Sequence, residues 1–522
     1  MQPTAQAVGE SQNEQAPKGR KKTDLTETRP PMPETLKVPV KEKIGYAMGD
    51  IATNFFFQSM ILYQTRFYTD TAGISAVAVG SMFLALRWAD AIFDPLIGAL
   101  SDRTQTRWGK FRPWILWTAI PFGVIFWLVY VTPHSGPGTK LIYAYFTYAL
   151  LMMMYSANNT PYSALMGVMT PDVSERSSVA KYRFVGALIG QFIIQALPLP
   201  LVAKFGQGDS AKGWAITMAI FGALIIILNL ITFASVRERV QPPPGQKSDL
   251  KADLRNVFSC GPWVVMFVLT LCVFTMLVVR GSSSNYLFTY YLDQAKIHEF
   301  LGQFGLAGVT SGTWDSVLDA FGLRVLPDGS NAAAVGLSLF FVVGSVVQIV
   351  GILFSKTLAD RFGKKTVFIV GVTITTIATA WVFWATPTSI SLLFWLSILW
   401  SVGWGPTVPL LWLMIADVSD FSEWKTSRRA IGFMYAGILF ALKAGLGLGG
   451  ALSAWIINAY GYVPNVKQTE HALLGIRMGS SIYPAIMLGI VLVCLVIYPI
   501  GKSLNLKIAD ELVERRKQYA TT

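Results

Sequence analysis

Long apolar runs, separated by short stretches of polar residues, glycine and proline, recur from about residue 46 to about residue 500. Each run approaches the roughly 20 residues that a helix needs to cross a hydrocarbon core of about 30 Å. The runs predict an all-α membrane protein with twelve transmembrane helices. The predicted spans are 46–68, 77–101, 112–131, 140–166, 181–203, 213–235, 258–292, 333–355, 366–385, 389–415, 427–460 and 478–500.

Positive charges concentrate in the connections that follow even-numbered spans. They are Arg103, Arg107, Lys110 and Arg112 after span two, Arg237, Arg239, Lys247, Lys251 and Arg255 after span six, and Arg361, Lys364 and Lys365 after span eight. The connection between spans one and two contains only Asp70 among charged residues. Because cytoplasmic loops carry the excess of lysine and arginine, both termini are predicted to be cytoplasmic.

Two of these basic loops contain the same motif. The loop after span two reads Asp102-Arg103 and then, after five residues, Gly109-Lys110, and the loop after span eight reads Asp360-Arg361-Phe-Gly363-Lys364. Equivalent loops six spans apart predict two homologous six-helix halves, which alternate access by rocking, with these loops as gating elements. The predicted organisation is a disordered cytoplasmic tail (1–42), a first half (43–236), a linker (237–257), a second half (258–503) with an extracytoplasmic loop (293–332), and a cytoplasmic tail (504–522).

Composition agrees with a membrane protein and narrows the chemistry. The chain is 53% hydrophobic and 14% charged, with a mean hydropathy of +0.47. Its net charge of +13 therefore reflects topology and does not indicate a nucleic-acid partner. The cysteines match no metal-ligand spacing and the histidines fall outside the spans; they are Cys260, Cys272, Cys494, His134, His298 and His471.

Three ionisable residues fall inside span two. Arg87, Asp90 and Asp94 are spaced at i, i+3 and i+7, which places them on one face of a helix. An ionisable group at the centre of a bilayer costs about 2.5–3.5 kcal/mol on insertion scales, so such a face is expected to line a cavity inside the protein. Two carboxylates four residues apart repel each other and favour a proton or a small cation between them. A hydroxyl on another helix would complete a sodium site, and Ser156 in span four is the candidate. The alternative is a salt-bridge cluster centred on Arg87 that only holds helices together.

Further polar residues lie within the spans and suit a ligand rich in hydroxyl groups. They are Asn54, Asn158, Asn159, Arg183, Arg280 and Lys443, with the Tyr155 ring available to stack on the apolar face of a sugar. For each amide, hydrogen bonding between helices is the alternative. Lys443 lies among glycines in span eleven and requires either a carboxylate, which Asp90 or Asp94 could supply, or an anionic ligand.

Several motifs together resemble one transporter family. They are RWADAIFDP at 87–95, DR at 102–103 with RWGKFRP at 107–113, GYAMGD at 45–50, FYTD at 67–70, NTPY at 159–162, ADVSD at 416–420 and GYVPNV at 461–466. The chain resembles the glycoside-pentoside-hexuronide:cation symporters, the melibiose permease group of the major facilitator superfamily. The resemblance covers about residues 42–505, without the tails and the 293–332 loop.

The resemblance implies roles for individual positions. It puts the family's cation-site carboxylates on Asp90 and Asp94 and its cation-site hydroxyl on Ser156. The family's sugar-site arginine falls on Arg183, and its lysine that links the two sites falls on Lys443.

Three positions depart from the melibiose permeases. Asn54 and Asn159 stand where those proteins have sugar-binding aspartates, and an amide tolerates a substrate carboxylate that an aspartate would repel. The pattern is similar to the glucuronide and xyloside branch, so a uronide or pentoside is favoured over an α-galactoside. Phe93 replaces an asparagine near the cation, which leaves sodium and proton both open.

The resemblance implies cation-coupled symport of a glycoside, pentoside or hexuronide across a bacterial inner membrane. The expected partners are a small sugar or uronide and the lipid bilayer, with no nucleic acid or obligate protein partner. No cofactor is expected beyond Na⁺ or H⁺, and no enzymatic activity. Two alternatives are a sodium-coupled lysolipid carrier and a membrane sensor that has lost transport.

Overall fold

The computed structural model describes residues 37–239, 260–307, 313–426 and 431–521. Each of the twelve predicted spans coincides with helix in the described residues. The first half contains α1 (Val40–Leu62), α2 (Ala76–Arg103), α3 (Arg112–Val129), α4 (Pro137–Met169), α5 (Val173–Ala196), α6 (Pro198–Gly206) and α7 (Ser210–Ser235). The second half contains α8 (Gly261–Tyr286), α9 (Gln294–Gly302), α10 (Thr313–Ala320), α11 (Ala332–Phe362), α12 (Lys364–Trp381), α13 (Ile390–Trp404), α14 (Thr407–Thr426), α15 (Ile431–Ala459), α16 (Glu470–Ser480), α17 (Ile482–Ile497) and α18 (Lys502–Thr521).

Nine helical stretches of the described residues are long and apolar enough to cross a membrane. The predicted spans that coincide with α1, α2 and α4 are not among these nine stretches. The first part of α2 is instead a shorter apolar helix. These helices contain the polar residues that the sequence singles out, among them Asn54, Asp90 and Asn159. The membrane fold is confirmed, and the count of twelve crossings stays a prediction.

Several bounds differ from those predicted. Helix α1 begins at Val40, inside the predicted 1–42 tail, and α14 continues to Thr426, beyond the predicted end at 415. Residues 504–521 of the predicted tail form most of helix α18, which contacts α14 through a 2.5 Å hydrogen bond from Trp424 Nε1 to Glu511. The predicted tail up to residue 36, and the predicted linker from 240 onward, lie outside the described residues.

Several helix pairs join the two halves in the part of the chain that the structure describes. Helix α2 packs on α15, α5 packs on α11, and α1 packs on α8. Within the first half, α1 packs on α5 and α7; within the second, α8 packs on α15 and α17. Four helices therefore have contacts both within their own half and with the other half: α1, α2, α8 and α15. Side chains on these helices reach the interface between the halves.

Two structural details repeat between the halves. A π-helical turn follows α1 at Phe67–Thr71, and another follows α8 at Leu287–Tyr291. The glycine of the repeated loop motif has a positive φ in both copies, 112° at Gly109 and 88° at Gly363, a conformation that favours glycine. Both details support the duplication that the loop sequences predict.

Candidate functional site

The carboxylates of α2 meet a hydroxyl of α4 and an amine of α15. Asp90 is buried, and the Ser156 hydroxyl donates to its Oδ1 at 2.8 Å. The Lys443 Nζ lies 3.2 Å from the Asp90 carboxylate and forms a second ion pair with Asp94. The predicted cation-site residues and the predicted coupling lysine are therefore in direct contact across the two halves.

Helix α15 reaches α2 because small residues face it. Gly447 lies against the Arg87 side chain and Gly450 against the Phe83 ring, and a Cβ at either glycine would overlap those side chains. Both glycines are on the same face of α15 as Lys443, at i+4 and i+7. Close helix approach at these glycines brings the Lys443 amine to the carboxylates.

The charges of this cluster balance. Arg87 Nη1 lies 3.3 Å from Asp90 Oδ2, so Arg87 and Lys443 offset the two carboxylates. The buried Oδ1 of Asp94 has no hydrogen-bond partner among the described residues. Carboxylate and hydroxyl oxygens are the ligands of hard cations, so Asp90, Asp94 and Ser156 form a suitable donor set for Na⁺. Lys443 lies beside these oxygens and competes with a cation for them.

The predicted sugar-site arginine has a carboxylate partner that sequence reasoning missed. Arg183 Nε lies 2.8 Å from Asp50 Oδ2, and the Tyr162 hydroxyl donates to the same oxygen at 2.8 Å. Asp50, Asn54 and Gln58 follow one another at four-residue spacing on one face of α1. That polar stripe was the sequence signal for Asp50.

The remaining predicted sugar-site residues, Asn54, Tyr155 and Asn159, lie on α1 and α4. Asn159 Nδ2 donates to the Tyr155 hydroxyl at 3.4 Å, and Lys443 Nζ stands 5.7 Å from the centre of the Tyr155 ring. The Asn54 amide donates to the Asp50 carbonyl at 2.9 Å. Asn158 instead donates to Thr118 on α3 and to Asn229 on α7, so its described bonds join helices.

A cavity of about 370 Å³ lies between the halves. Its size is in the range of small-molecule sites. Polar side chains from both halves line it: Asn54, Gln58, Gln191, Gln195, Arg280, Ser345, Gln348, Ser397, Ser401 and Thr407. Tyr155, Asn159 and Arg183 are not among the lining residues, whereas Asn54 is. Gln191 and Gln195, four residues apart on α5, were also missed by sequence reasoning.

Asp70, at the end of the π turn after α1, is bonded to the second half. Its carboxylate accepts hydrogen bonds from Tyr462 at 2.7 Å and from Tyr290 at 2.8 Å, and its carbonyl accepts from the Asn465 amide at 2.7 Å. Arg66 lies 3.7 Å from the same carboxylate. We call these five residues the Asp70 cluster, and it joins the halves at this end of the molecule.

The two motif loops lie at the other end of the helices. Asp102, Arg103, Asp360 and Arg361 are exposed. Glu238 accepts hydrogen bonds from three successive backbone N–H groups at the start of α3; they belong to Lys110, Phe111 and Arg112, at 2.9, 2.8 and 2.9 Å. The Glu238 carboxyl sits against Gly109, where a Cβ would overlap it. This loop is therefore held by Glu238, at the start of the segment that the sequence predicts as the linker.

The fold, the interfacial cavity and the polar cluster between halves define a membrane transporter. The chain is similar to solved structures of a bacterial Spinster homologue, with a TM-score of 0.60 at 15% identity over 90% of this chain and 98% of that one. It is also similar to the nucleoside transporter NupG, with a TM-score of 0.53 at 14% identity over 88% of this chain and all of that one. These similarities establish the fold.

Residues 45–318 and 325–502 match the MFS/sugar transport protein family, and the chain belongs to that family. It is 34% identical over 449 residues to the inner membrane symporter YicJ of Escherichia coli, covering 86% of this chain and 89% of that one. It is 31% identical over 476 residues to an isoprimeverose transporter of Lactiplantibacillus pentosus, covering 91% of each chain. The family predicted from the motifs is confirmed, and the chain is an integral membrane protein.

Proposed function

We propose that the protein is a symporter that couples inward movement of a cation, Na⁺ or H⁺, to uptake of a glycoside, pentoside or hexuronide by alternating access. The observation that carries the proposal is the contact of Lys443 with both Asp90 and Asp94. It joins a lysine of the second half to the candidate cation ligands of the first. The names of the relatives, which include a putative glycoside/cation symporter and an isoprimeverose transporter, support the same function.

Lys443 is the proposed coupling residue. Without the cation, its amine neutralises Asp90 and Asp94. When Na⁺ or a proton binds the carboxylates, the amine loses part of its electrostatic attraction and can turn to the substrate in the adjoining cavity. Such exchange makes each ligand favour the other, with a reciprocal coupling of about 1–3 kcal/mol.

The Asp70 cluster and the exposed motif loops support an inward-facing assignment of this conformation in the alternating cycle. At one end Asp70 is bonded to Tyr290 and Tyr462 of the second half. At the other end Asp102 and Arg361 are exposed. With the orientation predicted from the positive loops, the substrate path is closed outside and the conformation is inward-facing.

Uptake into proteoliposomes tests the function. We expect at least one member of a panel of glucuronides, xylosides and galactosides to accumulate above its equilibrium level under either a Na⁺ gradient or a pH gradient. Collapse of the effective gradient by an ionophore should abolish accumulation, while the other gradient should have no effect. Failure of every glycoside under both gradients, together with uptake of a lysolipid, would overturn the proposal.

Replacing Lys443 with Gln tests the coupling. We expect substrate binding to Lys443→Gln to lose its dependence on cation concentration, so that a coupling factor of about 5–150 falls to about 1. The measurement is substrate affinity of purified protein titrated at low and high concentrations of the coupling ion. Lys296→Gln, which removes an exposed lysine paired with Glu299, is the matched control. Cation dependence equal to that of wild type would contradict the role of Lys443.

A further inference from the structure

Arg280 of α8 lies in the cavity without an acidic partner. Among the described residues that line the cavity it is the one with a formal charge. Its guanidinium stands 4.1 Å from the centre of the Trp400 ring and 6.0 Å from that of Phe340. None of the ion pairs formed by the described residues includes it. Among the described residues, the groups that stabilise its positive charge are therefore the faces of these two aromatic rings.

An unpaired guanidinium inside a membrane protein is costly. Ionised groups removed from water require a compensating charge and hydrogen bonds, and stacking on an aromatic ring supplies only about 0.5–2 kcal/mol. The other arginine near the substrate region, Arg183, has Asp50 as its partner. Arg280 therefore differs from Arg183 in having its fork of N–H donors available to a ligand.

A second unsatisfied donor lies beside it. The indole Nε1 of Trp400 is buried and has no hydrogen-bond partner among the described residues. Trp400 also lines the cavity, and its ring is the one on which Arg280 stacks. The two side chains together present several donors and no acceptor, which matches an oxyanion rather than a sugar hydroxyl.

Resting on the symport function proposed above, we propose that Arg280 and Trp400 form an anion subsite that selects sugars bearing a carboxylate or sulfonate over neutral sugars. The guanidinium binds two oxygens of the acid group, and Trp400 Nε1 donates to the same group. The carbohydrate ring lies toward α1 and α5, where Asn54 and Gln191 line the same cavity. Binding satisfies donors that the protein leaves unpaired, so the acid group contributes affinity as well as selectivity.

Exchange between matched sugars tests the subsite separately from cation coupling. Proteoliposomes containing the full chain are preloaded with unlabelled sugar, and exchange of labelled methyl glucuronide is compared with that of methyl glucoside without an ion gradient. A sulfonated glucoside provides a third arm that separates sulfonate from carboxylate. We expect wild type to prefer an acidic sugar. In Arg280→Gln, the ratio of kcat/KM for that acid to kcat/KM for glucoside should fall about 10- to 100-fold.

Two further variants distinguish loss of the anion subsite from a general loss of structure. Trp400→Phe keeps an aromatic face for Arg280 but lacks the indole donor, and should lower the same ratio about 2- to 10-fold. Arg477→Gln is the matched control, because Arg477 also stacks on an aromatic ring, 4.6 Å from the centre of Phe383, but does not line the cavity. Its ratio should equal that of wild type.

The outcomes are distinct. An unchanged ratio in both Arg280→Gln and Trp400→Phe would overturn the anion subsite, and so would a wild-type preference for the glucoside. If the ratio fell to the same extent in Arg477→Gln, the effect would be structural, and this would also overturn the anion subsite. Failure of wild type to exchange any of the sugars would overturn the proposed function and the subsite with it.

Discussion

We expect the substitution Asp94→Cys to abolish uphill accumulation of the substrate. The change removes one of the two carboxylates that Lys443 contacts and deletes the oxygen that has no partner among the described residues. The remaining Asp90 is then offset by Arg87 and Lys443 without any cation. The cluster of Arg87, Asp90 and Lys443 then carries a net charge of +1, which disfavours binding of Na⁺ or a proton, so the ion gradient can no longer drive the sugar.

Accumulation and exchange must be measured together. Uphill accumulation in Asp94→Cys should fall at least about 100-fold, in line with the loss of a charged ligand worth about 3 kcal/mol or more. Exchange of labelled for unlabelled sugar across the same membranes should remain measurable, because it requires movement of the halves but no gradient. Asp209→Cys, which changes an exposed aspartate at the start of α7, is the control for a general effect of removing a carboxylate. Accumulation by Asp94→Cys at the wild-type level would refute the cation assignment.

The membrane fold, and the contact at the centre of the candidate site, were predictable from the sequence. Apolar runs predict helices because the bilayer requires both length and apolarity, and the cost of a buried charge singles out Asp90 and Asp94. The lysine was predictable for the same reason, since Lys443 in an apolar helix needs an anionic partner. All three meet in the structure.

Pairings between distant helices could not be predicted from spacing. Asp50 pairs with Arg183 across 133 positions of the chain, and Asp70 contacts Tyr462 across 392. Helical periodicity identifies the face of a helix on which a residue lies, but the neighbouring helix depends on how all the helices pack together. For the same reason Arg280 and Trp400 were not recognised as a pair before the structure placed one on the other.

Asp70→Ala should open the end of the transporter that the Asp70 cluster closes. The carboxylate accepts bonds from Tyr290 and Tyr462, and hydrogen bonds to a charged group contribute about 1.5–3 kcal/mol each. Losing both destabilises the closed arrangement by about 3 kcal/mol or more, which changes the ratio of conformations by at least about 100-fold. The helices themselves keep their packing, so the variant is expected to fold.

Thiol labelling from each face of the membrane measures that opening. The native cysteines Cys260, Cys272 and Cys494 are replaced by Ser, and a single cysteine is introduced at Gln58, which lines the cavity. A membrane-impermeant reagent applied at the face with the Asp70 cluster should label this cysteine much faster in Asp70→Ala. Asp328→Ala is the matched control, because the exposed Asp328 side chain accepts hydrogen bonds from its near neighbour Ser330. Equal labelling rates in the two variants would mean that Asp70 does not hold the halves together, and the helix pairs α2–α15 and α5–α11 would then have to provide the closure.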